Sequence, residues 1–294
     1  MPAASPITAI VVAYDSAEVL PACLSALAAE GVPAIVVDNA SGDGSADIAR
    51  ARGASVIVNT RNEGYGRANN RGVAASSTPY VLIVNPDVEI RRGAVAALLA
   101  AAERYPDAAM LAPRIVEPSG RVFLQPRSLL SPPHLNRAGT MRIPEGDACL
   151  PFLSGACLLI RREVFASLGG FDPAIFLFYE DDDLCRRMRD SGRALVHVHE
   201  AEAGHGRGRS TAPMPGRRFK ARWHLAWSEG YVSGKYGLPR PAFVKILENL
   251  AKAAGYGLML RREKMFAHAG SAAGALAWRH GRTAIGREGL EPSP

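Results

Sequence analysis

No stretch of this chain reaches the roughly 18 uninterrupted apolar residues of a membrane span, and its opening, MPAASPITAIVVAY, has neither the basic start nor the apolar length of a secretory leader. The expectation is a cytoplasmic protein that neither crosses a membrane nor leaves by the usual route. Cysteine is scarce: Cys23, Cys149, Cys157 and Cys185 show no CxxC spacing, which argues against a disulfide scaffold or a structural zinc site and for reduced thiols. The first apolar run is followed by AYDSAEV and not by a GxGxxG loop, which excludes a dinucleotide oxidoreductase. No internal repeat and no recognisable nucleic-acid motif is present. What remains is 294 residues, 48% hydrophobic, enough for one large domain or one domain with an appendage.

Charge is unevenly placed. Residues 207–294 carry 16 Lys+Arg against 5 Asp+Glu, a surplus of 11, while residues 1–206 carry 19 against 23. A basic C-terminal part predicts an anionic partner, and lipid headgroups fit better than nucleic acid.

Short β-branched runs alternate with Ala-rich helical stretches. Strands are expected at 7–14, 34–38, 55–59 and 80–85, with helices near 17–30, 44–51, 67–76 and 92–104. Strict alternation predicts βαβ units and a mostly parallel sheet. Ligands of such sheets lie beyond the carboxyl ends of the strands. The residues found there are Tyr14-Asp15-Ser16, DNASGDGS (38–45), NTRNEGYGRANNRG (59–72) and NPDVEI (85–90). Each alone reads as turn chemistry; four on one sheet edge read as a site. Residues 113–150, rich in Pro, Gly and Arg, predict an irregular excursion with a hairpin around Pro118-Ser119-Gly120. Strands are expected again at 152–160 and 194–205, and helices at 216–236, 241–261 and 264–281. The division expected is a catalytic domain over 1–215 and a basic helical region over 216–294.

The segment FLFYEDDDLCRRMR (176–189) sets four acids after an aromatic run. Acids at a helix start and arginines further along complement the helix dipole. Carboxylates beside the apolar Phe171, Phe176, Phe178 and Tyr179 also point to a cation or a proton-transfer task, and the segment alone leaves both readings open.

Taken in order, VVAYDS, IVVDNASGDGS, NEGYGRANNRG, NPDV, SGACLLIRREVFASLGGFDPAIFLFYEDDDLCRRMRDSG and the Gly204-His205 pair make the chain resemble the family 2 glycosyltransferases, in particular their bacterial rhamnosyltransferase-like branch. The resemblance covers residues 7 to about 240 and implies an α/β GT-A fold. It also implies an inverting transfer from a nucleoside-diphosphate sugar, dTDP-deoxyhexose before UDP-hexose, to a hydroxyl of a glycan or lipid-linked acceptor. Such a task suits peripheral association with the inner face of the cell membrane. Asp38 matches the carboxylate that meets the nucleotide base, with an Asx-turn as its structural alternative. Asn85-Pro86-Asp87 occupies the metal-binding DxD position. Asn85 departs from that pattern with a weaker oxygen ligand, so Asp87 is the principal carboxylate for Mg²⁺ or Mn²⁺. The same departure feeds the alternative of a catalytically silent sugar-nucleotide or glycan binder. His205 matches the position that completes the metal site, with His197 and His199 as rivals. Asp181 matches the general base and Glu180 its support, with Asp182 and Asp183 structural; repulsion among the acids is expected to raise the pKa of Asp181. Tyr14, Asn62, Gly64 and Asn69 are further candidate donor contacts, and Arg67 either meets a phosphate or packs its loop.

Overall fold

β1 (Ile7–Ala13) is buried along its whole length, the signature of a strand covered on both faces. In the computed structural model, which describes residues 5–124, 128–132, 143–206, 216–238 and 242–291, it lies within a 10-stranded sheet. The described residues belong to two compact units. One holds Met1–Asn62, Ala68–Phe171 and Asp181–Ala212; the other holds Glu63–Arg67, Asp172–Glu180 and Pro213–Pro294.

In the first unit, β1 pairs in parallel with β2 (Ala34–Asp38) and β4 (Tyr80–Val84), and β2 with β3 (Ser55–Val58). The intervening helices are α1 (Leu20–Ala29), α2 (Ser45–Ala51) and α3 (Tyr65–Ala74), the last beginning in a segment of the second unit. This half is the parallel βαβ arrangement the alternating pattern predicts. The other half mixes directions. β9 (Cys157–Arg161) runs antiparallel between β4 and β6 (Ala108–Val116). β10 (Ala194–His205) is parallel to β6, and β5 (Val88–Ile90) closes the edge antiparallel to β10. α4 (Ala94–Arg104), α5 (Arg162–Ser167) and α6 (Glu180–Asp190) complete the series. Leu82, Leu98, Leu111 and Leu159 sit wholly inside the core, each worth about 1.5–3 kcal/mol of burial.

β6 corrects the expected excursion, whose first residues are strand. Its AAML start continues the Ala-rich pattern of α4, and Pro113 argues against an interior strand. Pro113 is tolerated because β9 pairs only as far as Leu111, and on the other side β10 is irregular between Val198 and Glu202. The hairpin at Pro118-Ser119-Gly120 is present: the Gly120 N–H donates to the Glu117 carbonyl at 2.8 Å, and β7 (Val122–Phe123) pairs back onto β6. Part of the excursion, 125–127 and 133–142, lies outside the described residues, as do 207–215 and the residue expected to start the second C-terminal helix, 241. A two-residue β8 (Ala148–Cys149) pairs with β10.

The second unit contains α7 (Arg217–Lys235), α8 (Ala242–Leu258), α9 (Arg262–Arg279) and α10 (Ala284–Arg287), with α9 packed on both α7 and α8. Phe219, Trp223, Trp227 and Tyr231 form one stripe along α7, and it is core. Trp223 and Trp227 are buried with Phe176, Ala277 and Ile285, the Trp227 indole N–H donates to the Arg282 carbonyl at 2.6 Å, and Phe176 stacks on His224. That stripe is therefore no lipid-facing surface. Glu288 joins Lys220 at 2.6 Å and His224 at 2.9 Å. Burial raises the Glu288 carboxyl, but the bonds from His224 and Lys220 outweigh it and hold the group down at about 2. A carboxyl depressed on folding stabilises above its unfolded pKa and loses that contribution as pH falls through the folded value. Thermal melts from pH 5 down to pH 2 should thus show wild type losing stability faster than Glu288→Gln.

Candidate active site

Strand polarity gathers the candidates. β1, β2, β3, β4, β6 and β10 point the same way through their parallel pairings and the shared antiparallel neighbour β9, so their carboxyl ends share one edge with the start of β9 and of β5. Asp38, Asn59, Asn85 and His205 all stand at that edge.

The loops after β1 and β2 are tied together. The Asp15 N–H donates to Ser41 Oγ at 3.0 Å, the Asp15 carboxylate accepts from the Gly42 N–H at 2.7 Å, and the Asp43 carboxylate accepts from the Ala17 N–H at 2.8 Å. Tyr14 opens this loop with its N–H on Ser16 Oγ. Asp38 is buried. One of its oxygens accepts from the Ser41 N–H, three residues on, at 3.1 Å, a local loop-closing bond in place of the two-residue Asx-turn, while Oδ1 is buried with no hydrogen-bond partner. A buried carboxylate oxygen left unpaired is costly, and the loop-closing bond leaves that cost in place.

A side-chain chain runs through the third loop. Arg71 donates to Asn59 Oδ1 at 2.7 Å, Asn59 to Asn39 Oδ1 at 2.9 Å, and Asn39 to Asn62 Oδ1 at 2.9 Å. Asn62 is thereby fixed, and Asn39, Asn59 and Arg71 are positioning residues that motif reading passed over, although Asn39 directly follows Asp38. Asn69 is fully buried. Gly64 and Arg67 belong to the second unit. Gly64 has φ 87° and approaches the Phe176 backbone so closely that a Cβ would collide with its carbonyl. Arg67 donates to the carbonyls of Pro173 at 2.8 Å and Glu291 at 3.1 Å. Of the two roles open to Arg67, these bonds are the packing one, and the close approach of Gly64 is to Phe176.

After β4 the chain turns at Asn85-Pro86-Asp87, with the Val88 N–H on the Asn85 carbonyl at 3.1 Å. β5 then pairs with the end of β10, Val88 opposite His205, and the Gly206 N–H donates to the Asp87 carbonyl at 3.0 Å. That pairing places His205 Nε2 3.3 Å from Asp87 Oδ1, both side chains nearly enclosed. His197 and His199 sit further back on β10. His197 is buried, and burial followed by the His199 charge lowers its pKa; His199 has its N–H on Asp147. Among the described residues no group of three or more His, Cys, Asp or Glu side chains forms a cation cage. A carboxylate and an imidazole in contact are a pair of donors that a divalent cation can share.

The Asn85 N–H donates to the Ala156 carbonyl at 2.9 Å, and the neighbouring Gly155 N–H donates to Asp181 Oδ2 at 3.0 Å. Asp181 is thus linked, through the adjacent Gly155 and Ala156, to the turn that begins at Asn85. A Cβ on Gly155 would come within 3.2 Å of the Asp181 carboxylate, a tight contact that glycine avoids. The other Asp181 oxygen accepts from the Asp182 N–H at 3.0 Å. Burial pushes the Asp181 carboxyl up against these two bonds. Asp182, buried and bonded by Ser128, is pushed up by burial and next by Asp181. For Asp181 burial is the cause, and the repulsion anticipated from the run of acids raises Asp182 instead. Asp183 pairs with Arg187 at 2.8 Å and is structural. Glu180, the first residue of α6, is buried. Phe178 and Tyr179, immediately before it, have φ 68° and 70°. Bulky residues rarely hold that conformation, and it clusters at functional sites.

The model of Glycosyl transferase family 2 matches residues 8–169. N-acetylglucosaminyl-diphospho-decaprenol L-rhamnosyltransferase of Mycobacterium tuberculosis is 32% identical over 232 residues, 68% of this chain and 75% of that protein. Among solved structures, S. aureus TarS 1-349 in complex with UDP-GlcNAc aligns with a TM-score of 0.55 at 15% identity, over 94% of this chain and 92% of that one. The mannosyltransferase PcManGT of Pyrobaculum calidifontis in complex with GDP-Man and Mn²⁺ aligns with a TM-score of 0.57 at 17% identity, over 93% and 87%. With a family model over more than half its length and a rhamnosyltransferase relative over two thirds, the chain belongs to glycosyltransferase family 2, and it is a glycosyltransferase enzyme.

Proposed function

We propose that this glycosyltransferase moves a deoxyhexose such as rhamnose, with inversion, from a dTDP or UDP sugar to a hydroxyl of a lipid-linked glycan, working at the inner face of the cell membrane. The observation that supports the reading is that Asp38 and the Asp87–His205 pair stand at the carboxyl edge of one sheet, while Asp181, on α6, is tied through Gly155 and Ala156 to the turn that bears Asp87. The unpaired Oδ1 of Asp38 would accept from a pyrimidine N–H. Asp87 and His205 would hold Mg²⁺ or Mn²⁺, with Asn85 at the turn's first position; the cation would offset charge on the departing nucleoside diphosphate. Asp181, its pKa raised and its carboxylate aimed by two backbone N–H groups, takes the proton of the acceptor hydroxyl as that oxygen bonds to the anomeric carbon and the diphosphate leaves. A single displacement inverts the anomeric centre. The deoxyhexose and the lipid-linked acceptor rest on the mycobacterial relative, whose name specifies both. The catalytic domain in this reading is residues 1–215, with 216–294 as a basic helical region.

A thermal-shift screen of UDP, dTDP, GDP and their sugars, with and without Mg²⁺ or Mn²⁺, tests the donor. A ligand at about a hundred times its Kd stabilises by about 2.7 kcal/mol, so the cognate pyrimidine nucleotide should raise Tm measurably and only with the cation. A shift with GDP alone would overturn the donor assignment.

A further inference from the structure

α8 has two apolar faces, and only one is used. Ile246 is buried where α8 meets α9. Phe243, Val244, Leu247, Leu250 and Leu258 are exposed, and at 100° per residue they fall within one sector of roughly 120°. The stripe runs into the turn before α9, where Leu258, Met259 and Leu260 are 88%, 67% and 84% exposed. Singly exposed leucines are ordinary; a continuous stripe ending in three consecutive bare side chains is not. Leu260 has φ 55°, and the Arg261 N–H closes the helix end onto the Tyr256 carbonyl at 2.9 Å. That is the left-handed position at which glycine is the usual occupant, so a large apolar side chain is kept where the backbone favours none.

The charge around this apolar surface selects its occupant. Directly after the tip come Arg261, Arg262 and Lys264, all exposed, against one acid, Glu263, which pairs with Arg218 at 3.0 Å. At the other end of the stripe the Arg279 guanidinium lies over the Phe243 ring at 5.7 Å. Apolar side chains bordered by cations match an anionic leaflet, with the leucines entering the acyl boundary and the arginines meeting headgroup phosphates. No helix among the described residues is long and apolar enough to cross a membrane.

We propose that the exposed face of α8 and the Leu258-Met259-Leu260 tip dock this enzyme onto an anionic lipid surface. The surface differs from the aromatic stripe of α7, which is core. The inference rests on the reading of a lipid-linked acceptor, and the test separates the two. Flotation with acceptor-free vesicles of phosphatidylglycerol and phosphatidylcholine should show wild type bound at low salt and released at high salt. Leu258→Glu/Leu260→Glu should lower binding about tenfold or more, Arg261→Glu/Arg262→Glu should lower it less and flatten its salt dependence, and the donor-induced thermal shift should be unchanged in both. Wild type that ignores these vesicles, or binds equally well with the tip charged, overturns the docking surface. So does a tip variant that merely converts a dimer to a monomer in light scattering, because the stripe would then be a contact between copies. If wild type docks but transfers nothing to a polyprenyl-diphosphate sugar in detergent, the acceptor reading fails while the docking surface stands; transfer without docking gives the reverse.

Discussion

Asp181→Asn is expected to reduce sugar transfer on the order of a hundredfold or more while leaving donor binding close to wild type. The substitution keeps the shape of the side chain and one acceptor oxygen for the Gly155 or the Asp182 N–H, which donate at 3.0 Å to separate Asp181 oxygens, and it gives up the other bond, so a thermal melt of the variant belongs beside the transfer assay. What it removes is the basic form of a carboxyl whose pKa is lifted by burial. Single-turnover transfer and donor calorimetry on the same preparation separate the two effects. Because Asp182 is also lifted by burial and by Asp181, the two adjacent carboxyls hold a proton above the ordinary aspartate range. Transfer should therefore fall on the acid side at a pH higher than an isolated aspartate predicts. Retained turnover in Asp181→Asn together with lost turnover in Glu180→Gln would assign the base to Glu180.

Asp87→Ala should abolish cation-dependent donor binding, and Asn85→Ala should weaken it by less. A carboxylate is the stronger ligand for a hard cation, and the Asp87 carboxylate is the one within 3.3 Å of His205. Asn85 contributes to the fold through its backbone, N–H to Ala156 and carbonyl to Val88, and alanine keeps both bonds. Calorimetry of donor with Mn²⁺ on the two variants decides the matter: equal losses, or none, would remove Asp87 as principal ligand.

Much of this site is legible in the linear chain because its parts are local. DNASGDGS and NPDV follow strands whose apolar runs are unmistakable, and parallel pairing carries their ends to one edge. The contacts that join the parts are not local. Asp87 meets His205 only because the short β5 pairs antiparallel with β10 more than a hundred residues later, and a three-residue strand has no periodicity to announce it. Gly155 grips Asp181 across the start of β9, and the Arg71–Asn59–Asn39–Asn62 chain links two loops through side-chain amides that pattern reading takes for turn residues. β6 hid behind Pro113 for the opposite reason: local propensity argued against a strand that tertiary pairing supports. The four-residue spacing of the α7 aromatics shows that one face of the helix is apolar and not what covers it; the packing of α9 and α10 residues on it does.

The central claim is an inverting, cation-dependent transfer with Asp181 as base. Its most direct test is the anomeric configuration, by proton NMR, of the product formed from dTDP-rhamnose and a polyprenyl-diphosphate GlcNAc acceptor. The prediction is a rhamnoside of configuration opposite to the donor, formed with Mg²⁺ or Mn²⁺ and lost with EDTA and with Asp181→Asn. A product that retains the donor's configuration, or that forms undiminished with Asp181→Asn, would contradict it.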